Sequence, residues 1–562
     1  MITSLAQMKA HVGRPRMPRA VPGLAAALAL AASAVFVSAG AAGASVGSQA
    51  GSGTVPVLRL NRPAPADVIP GTARVVPPRV PDASVYAAQK AAANAAAARR
   101  AGPPAGSAPA VLAPALVRNW AGQRDTTVAP SDSTGAIGTT RYIELVNARA
   151  AVYSRTSNTP TAAGSLLQLT GCAATACTDN VFDPQVIWDP GTNRFFYAAD
   201  DIVSSTQNLL DIGFSTTATP TLSASSWCRY SLNFGSIFPD YPKLGDTKDF
   251  QLIGANEFSG SSFAGSHIAW LTKPPSGTAC PAPGTFTAGI SGTLKNANGT
   301  AAFTPVPANQ TDTSSAGWAV ARPASIPSGG ATSLTVFKVT KSTAGTATIP
   351  ATGTSVPVSA FQVPASAPQP GTTDKLDTLD ARNTQAVSAV DPGHGGVTAL
   401  WTQHAVFGGA GSQVRWYEIN PATHSLIQHG TLTRASSFIF DGAVSPDRRV
   451  SGATSMFGGD MVIDVVQSSL TTLPAIKAAS KIGPNPVSSL SQIAASGAAD
   501  TGFDCIMSGG LCRWGDYAAA TPDPAAPATA ATGQVWGSSM LAASGGSISS
   551  SGWTTRNFAI KP

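Results

Sequence analysis

Charged side chains are scarce in this 562-residue chain, at 12% of it, when soluble domains average roughly 25%. Glutamate is scarcer still, with only Glu144, Glu257 and Glu418. A surface with so little charge must be built from Ser, Thr, Gly, Asn and Gln, a makeup common in exported proteins. Long unbroken stretches of helix formers are also missing. With 55 Gly and 44 Pro, the chain is punctuated too often for bundles or coiled coils. Beyond residue 44 no apolar run approaches the ~20 residues of a membrane span. There is no C-x-x-C, no H-E-x-x-H, no Walker A loop and no dinucleotide fingerprint, which removes the commonest zinc, nucleotide and hydride-transfer signatures. Gly43–Gly47 matches G-x-S-x-G only by chance, in the wrong place for a nucleophile elbow.

The basicity is uneven. The formal charge of +7 divides into +4 over residues 1–44, +6 over 45–120 and −3 over the remainder. A nucleic-acid binder concentrates positive charge on its folded part, so nucleic acid is excluded as a partner. Lys9, Arg14, Arg16 and Arg19 precede the apolar run from Leu24 to Val37, and Ala42-Gly43-Ala44 offers a small-residue cleavage site. Residues 1–44 therefore read as a signal peptide, with an uncleaved N-terminal anchor as the alternative. Residues 45–120, rich in Pro, Ala and Val, read as a flexible spacer, although Ala87 to Arg100 has the composition of a helix. Secretion fits the six cysteines, whose sequence proximity favours the pairs Cys172–Cys177, Cys228–Cys280 and Cys505–Cys512 among fifteen possible connectivities.

From about residue 128 a repeat appears: an acidic residue, a short apolar strand, a turn rich in Asp, Pro and Gly, and a second strand. Copies open at Asp132, Asp183, Asp240, Asp312, Asp380, Asp441 and Asp516, 51 to 75 residues apart, the copy at Asp312 being degenerate. Alternating strands joined by turn dipeptides make each copy a β-hairpin. The runs between copies, such as VRWYEINP at 414–421 and SLTVFKVT at 333–340, supply outer strands. Four strands per unit at this period predict an all-β, seven-bladed β-propeller over residues 121–562, with six blades or a string of β-sandwiches as alternatives. GWTTRNFAI at the C-terminal end is expected to complete the last blade or pair with the first.

The stretches DSTGAIGTTRYIELVNARAAVY, FDPQVIWDPGTNRFFYAADD, DYPKLG and RWGDYAAATPDP resemble secreted bacterial β-propeller proteins of the sialidase-like superfamily, over roughly residues 128–560. The resemblance implies fold and export. It implies little chemistry, because most such proteins have no established activity, and because the chain departs from true sialidases. No S-x-D-x-G-x-T-W box occurs, and the three glutamates sit in second or outer strands, poor places for a catalyst, so no sialidase role transfers to any residue.

Propellers take ligands where inner strands begin. The expected ligand-binding set is Asp183, Asp240, Tyr241, Asp380, Arg382, Asp441, Asp516 and Tyr517. The acids would face one funnel, Arg382 would neutralise Asp380, and the tyrosines would stack on a sugar face. The competing role for the acids is capping of strand-opening turns. The functional expectation is a monomeric binding or scaffold protein for a glycan or cell-surface polymer. The alternatives are a glycoside hydrolase or lyase using Asp183, Asp240 and Asp516, and a wall-associated protein held by its basic tail. No catalytic set and no cofactor is identified; Ca²⁺ suits the carboxylates, but no EF-hand spacing supports it. His394 and His404 flank one hairpin and read as solvated loop residues before metal ligands, while Trp188, Trp318, Trp401, Trp416, Trp514 and Trp536 read as packing between blades.

Overall fold

A computed structural model describes residues 57–60, 74–75, 79–100, 113–171, 180–277, 279–281, 287–448, 458–525 and 532–562. The expected leader and the Cys172–Cys177 pair lie outside the described residues. Among the described residues, seven mainly antiparallel sheets of four or more strands succeed one another along the chain. Their first strands are Thr134–Ile137, Asn180–Asp189, Ile237–Asp246, Ala302–Pro307, Asn383–Asp391, Phe438–Pro446 and Ala519–Pro522. Each first strand adjoins the first strand of the next sheet, and that of the seventh adjoins that of the first. The sheets are therefore arranged radially about an axis lined by these inner strands, the order of a β-propeller and not of separate sandwiches.

Apolar side chains fill the gaps between neighbouring sheets. Val152, Trp188, Phe195 and Tyr197 pack between the first and second, and Trp318, Val336, Leu400 and Ile419 between the fourth and fifth. Ile476, Val535, Phe558 and Ile560 do the same between the sixth and seventh. The D-P-G turns form as expected. The Asp189 carboxylate accepts the N–H groups of Gly191 and Thr192 at 3.0 and 3.1 Å, closing an Asx turn between the first two strands of the second sheet. Disulfides join Cys228 to Cys280 and Cys505 to Cys512.

Two expectations need correction. The degenerate repeat was placed one strand late. The inner strand of the fourth sheet is Ala302–Pro307, and Asp312 merely caps the turn that follows, its carboxylate accepting the Ser314 N–H at 2.7 Å. The spacer expected over 45–120 does not describe residues 79–100, which pack on the propeller, nor Ala115–Ala121, which is the outermost strand of the seventh sheet. The sheets therefore draw strands from before residue 121: Ala115–Ala121 in the seventh and Val57–Leu60 at the outer edge of the second. Distant partners explain the difference: Lys90 donates to Thr378 and the Leu379 carbonyl, and Trp120 is buried against Tyr142, Tyr153 and Trp536.

The seventh sheet closes the ring. Its third strand, Trp553–Lys561, pairs with Val535–Ala542 on one side and with Ala115–Ala121 on the other. Trp120 on that edge strand meets Tyr142 and Tyr153 of the first sheet and Trp536 of the seventh, with ring centroids 5.6, 5.8 and 5.9 Å away. Beneath them the buried Glu144 carboxylate accepts from Tyr153 Oη at 3.0 Å, Asn557 Nδ2 at 2.8 Å and Thr555 Oγ1. Removing the indole should cost about 3–5 kcal/mol. Trp120→Ala is expected to lower the thermal unfolding midpoint by several degrees in calorimetry, whereas an exposed control, Leu470→Ala, should leave it unchanged.

Candidate functional site

Four inner strands begin with the same local device. Asp183-Pro184, Tyr241-Pro242, Thr304-Pro305 and Asp441-Gly442 each place their first residue in the left-handed region, with φ of 51°, 59°, 55° and 42°. At each pair the ladder to the second strand slips, so each is a β-bulge, where a proline without an N–H does no harm and side chains are re-aimed. Asp132 (φ 42°) and Ala381 (φ 68°) take the same conformation just before the first and fifth inner strands. The structurally equivalent positions are therefore Asp132, Asp183, Tyr241, Thr304, Ala381 and Asp441. Asp240 and Asp380, read from the sequence as equivalents of Asp183, stand one residue earlier. The left-handed backbone angle, and not the acid itself, marks the repeat.

Five of the eight predicted residues, Tyr241, Asp380, Arg382, Asp516 and Tyr517, meet in one buried network, and Asp183, Asp240 and Asp441 are also buried. Arg382 grips Asp380 in a fork, Nε to Oδ1 at 2.8 Å and Nη2 to Oδ2 at 3.0 Å, and Arg322 adds a third bond at 2.7 Å. Arg513 joins Asp377 and Asp516, both at 2.6 Å. The backbone N–H of Asp516 donates to Asp132 at 2.7 Å. The Tyr241 hydroxyl donates to the Asp516 carbonyl at 2.8 Å, and the Tyr241 and Tyr517 rings meet edge to face at 5.5 Å. Lys243 Nζ lies 3.3 Å from the Tyr517 ring centroid and 4.4 Å from that of Tyr241, with no hydrogen-bond acceptor. The capping role thus falls to Asp132 and Asp380. Asp441 has no hydrogen bond to either carboxylate oxygen and Asp183 none to its Oδ1. Lys243, Arg513, Arg322, Asp377 and Asp200 were not singled out from sequence. The first two sit inside the motifs DYPKLG and RWGDY, so their nearness to the predicted acids was the available signal.

This is a closed mouth and not an open funnel. Along the axis below the network, the cavity between inner strands measures about 40 Å³, space for a few waters, and Gln385 spans it to bond Ala520. Above the network lies helix α1 (Ala83–Ala98), whose alanines favour helix and whose first turn is capped by Asp82 accepting from Ser84 and Val85 at 2.9 and 3.0 Å. The helix buries Lys90, which donates to Thr378 Oγ1 and the Leu379 carbonyl at 2.8 and 2.7 Å and stands 3.6 Å from Asp377. Arg79, just before it, stacks on Phe238 at 4.4 Å, and its carbonyl receives Arg382 Nη2 at 2.8 Å. Beside the first turn of α1 a cavity of about 200 Å³ is lined by Asp82, Tyr86, Gln89, Arg322, Ile326 and Asp380.

Burial sets the electrostatics. It raises the carboxyls of Asp183 and Asp441 well above the usual range, with Asp132 pushing each the same way. Burial likewise lifts Asp240 to about 7 against the pull of Arg382 and Arg79, and Asp516 to about 6 against that of Arg513. Burial would raise Asp380 too, but the Arg322 and Arg382 guanidiniums beside it hold it well below. The Lys243 amine is driven far down by burial. All three axial guanidiniums are committed to internal carboxylates, which leaves no arginine cluster to grip an acidic sugar. Among the described residues, no three axial carboxylates bring ligand atoms within 4.8 Å of one another, so the Ca²⁺ expectation gains nothing here. His404, expected in a solvated loop, is buried between the Ala381 carbonyl and the Tyr417 hydroxyl, both at 3.0 Å, and burial holds it down to about 3.

No family model matches the chain, and no curated protein does. Among solved structures, a GH43_1 enzyme from Xanthomonas citri complexed with xylotriose aligns at 10% identity over 56% of this chain and 85% of that one, with a TM-score of 0.25. The hemagglutinin-neuraminidase of Parainfluenza Virus 5 with ligand DANA aligns at 9% identity over 71% and 95%, with a TM-score of 0.33. An exo-beta-1,3-galactanase from Clostridium thermocellum aligns at 10% identity over 63% and 76%, with a TM-score of 0.28. At such scores the chemistry has to be argued from this chain's own residues.

The raised carboxyls fix a pH dependence. Asp240, Asp447, Asp246 and Asp516 hold protons in the folded state up to about 7, 7, 6 and 6, whereas an unfolded Asp releases its proton near 3.9. The folded state binds more protons between those values, so stability falls as pH rises from about 4 through 7. His404 opposes this below pH 6.5, and so does Lys243, whose amine burial drives far down, but the raised acids, Asp183 and Asp441 among them, outnumber these two. Thermal midpoints measured across pH 5 to 8 should be highest at the acid end, and a midpoint that climbs toward pH 8 would contradict the burial of these acids.

Proposed function

We propose that the protein is an exported, monomeric binding propeller for a neutral glycan or cell-surface polymer, seated in the cavity between α1 and the Arg322–Asp380 pair. One observation carries the reading: the cavity of about 200 Å³ combines the Tyr86 ring, the Gln89 side chain and a matched acid and base. Pockets for drug-sized ligands run from about 300 to 1,000 Å³, so this one suits a single sugar residue of a longer chain. A sugar presents C–H faces to an aromatic ring and hydroxyls to charged groups. Because Arg322 already neutralises Asp380, the floor favours uncharged hydroxyls over a carboxylate. Screening the full chain on a glycan array should return a neutral ligand. Tyr86→Ala should weaken its binding about tenfold, as loss of one aromatic contact predicts. An array without hits, or affinity unchanged in Tyr86→Ala, would remove the proposal.

A second reading, glycoside hydrolysis, is favoured by the Asp240 carboxyl, pushed up to about 7 beside Asp516 at about 6. Buried acids that keep a proton toward neutrality are suited to general-acid work. Asp240 is only 5% exposed, so substrate would have to displace Arg79 and α1. Chromogenic glycosides should then turn over with an alkaline limb near pH 7, and Asp240→Asn should abolish it. Absence of turnover across the panel disposes of this reading.

A further inference from the structure

At the far end of the fifth inner strand, roughly 36 Å of chain from Asp380 at 3.3 Å per residue, a second polar group stands apart from the axial network. Asp391 ends that strand, buried, and its Oδ1 accepts the Gly393 N–H at 2.8 Å. Its Oδ2 faces Nδ1 of His394, whose side chain is 45% exposed. Glu418, on the third strand of the same sheet, has no exposed surface. Its Oε2 receives the Gln428 amide at 2.5 Å, while Oε1 has no partner at all. One ligand atom from each of Asp391, His394 and Glu418 lies within 4.8 Å of the other two.

Two buried carboxylates that confront each other across an unfilled bonding position need either a proton or a cation between them. Lys481 of the sixth sheet is the nearest ammonium, and its Nζ is already held by the Gly483 carbonyl. We propose that Asp391, His394 and Glu418 form a binding site for a transition-metal dication, with Zn²⁺ the best fit. One imidazole nitrogen and two carboxylate oxygens are a three-ligand set that suits Zn²⁺ and leaves a position for water. Binding would replace the direct contact between Asp391 Oδ2 and His394 Nδ1 and release the protons held by the three ligands. His394 reaches solvent and gives the ion its entry path. The Gln428 amide on Glu418 and the Gly393 N–H on Asp391 orient the two carboxylates from outside the ligand set.

The test is calorimetric titration of ZnCl₂ into untagged, chelator-treated full-length protein, with MnCl₂ and CaCl₂ run in parallel. One saturable site should appear, tighter for Zn²⁺ than for Mn²⁺ and absent for Ca²⁺, with a rise in the thermal midpoint. Affinity should fall at least tenfold in Glu418→Gln and in His394→Ala. The histidine is exposed, so its removal keeps the test valid if the buried substitution fails to fold. Binding weaker than millimolar, or unchanged in His394→Ala, would overturn the proposal and leave the two carboxylates sharing a proton.

Discussion

The architecture turns on a backbone kink placed where the strands converge. A residue forced into the left-handed region, followed by Pro or Gly, bulges four of the inner strands. Bulges re-aim side chains, and here they gather carboxylates, guanidiniums and phenols from separate sheets into one desolvated space. Once gathered, the groups dictate their own compensation. Asp380 and Asp377 take up three arginines and Lys90, and the surplus acids retain protons.

That compensation explains why a segment outside the repeat belongs to the folded body. Helix α1 has little apolar surface with which to dock; its buried residues are Lys90 and Ala93. Its anchoring is polar. The ammonium enters a pocket of acceptors, Asn94 accepts the Ser366 N–H at 2.9 Å, and Gln89 donates to the Ile326 carbonyl at 2.7 Å. A helix seated by hydrogen bonds also leaves room beneath its first turn, where surface residues and the axial network line a common cavity.

Legibility in the sequence followed the range of each interaction. The strands, the D-P-G turns and the two described disulfides were readable because period, turn chemistry and cysteine spacing are local signals. The residues expected to bind ligand could be picked out as a group, since each sits beside a repeat landmark. Their equivalence was misread at Asp240 and Asp380, because an acid is conspicuous while a backbone angle at Tyr241 or Ala381 is not. Lys90, Arg79 and Ala115–Ala121 were beyond reach for another reason. Their partners, Asp377, Arg382 and Trp553–Lys561, lie hundreds of residues away, and nothing in an Ala- and Pro-rich stretch announces a distant acceptor. His404 was misjudged in the same way, its loop-like surroundings hiding a buried seat against Tyr417.

The pairing of Ala115–Ala121 with Trp553–Lys561 imposes an order of events on the newborn chain. An early-synthesised segment must wait for the last residues to emerge before its sheet exists, and until then two strand edges stand open to intermolecular pairing. Such long-range contacts make for slow folding. A nascent or clipped chain missing its final strand would lack more than one strand of seven sheets: it would lose the clasp, and its unmatched edges would recruit a neighbouring molecule.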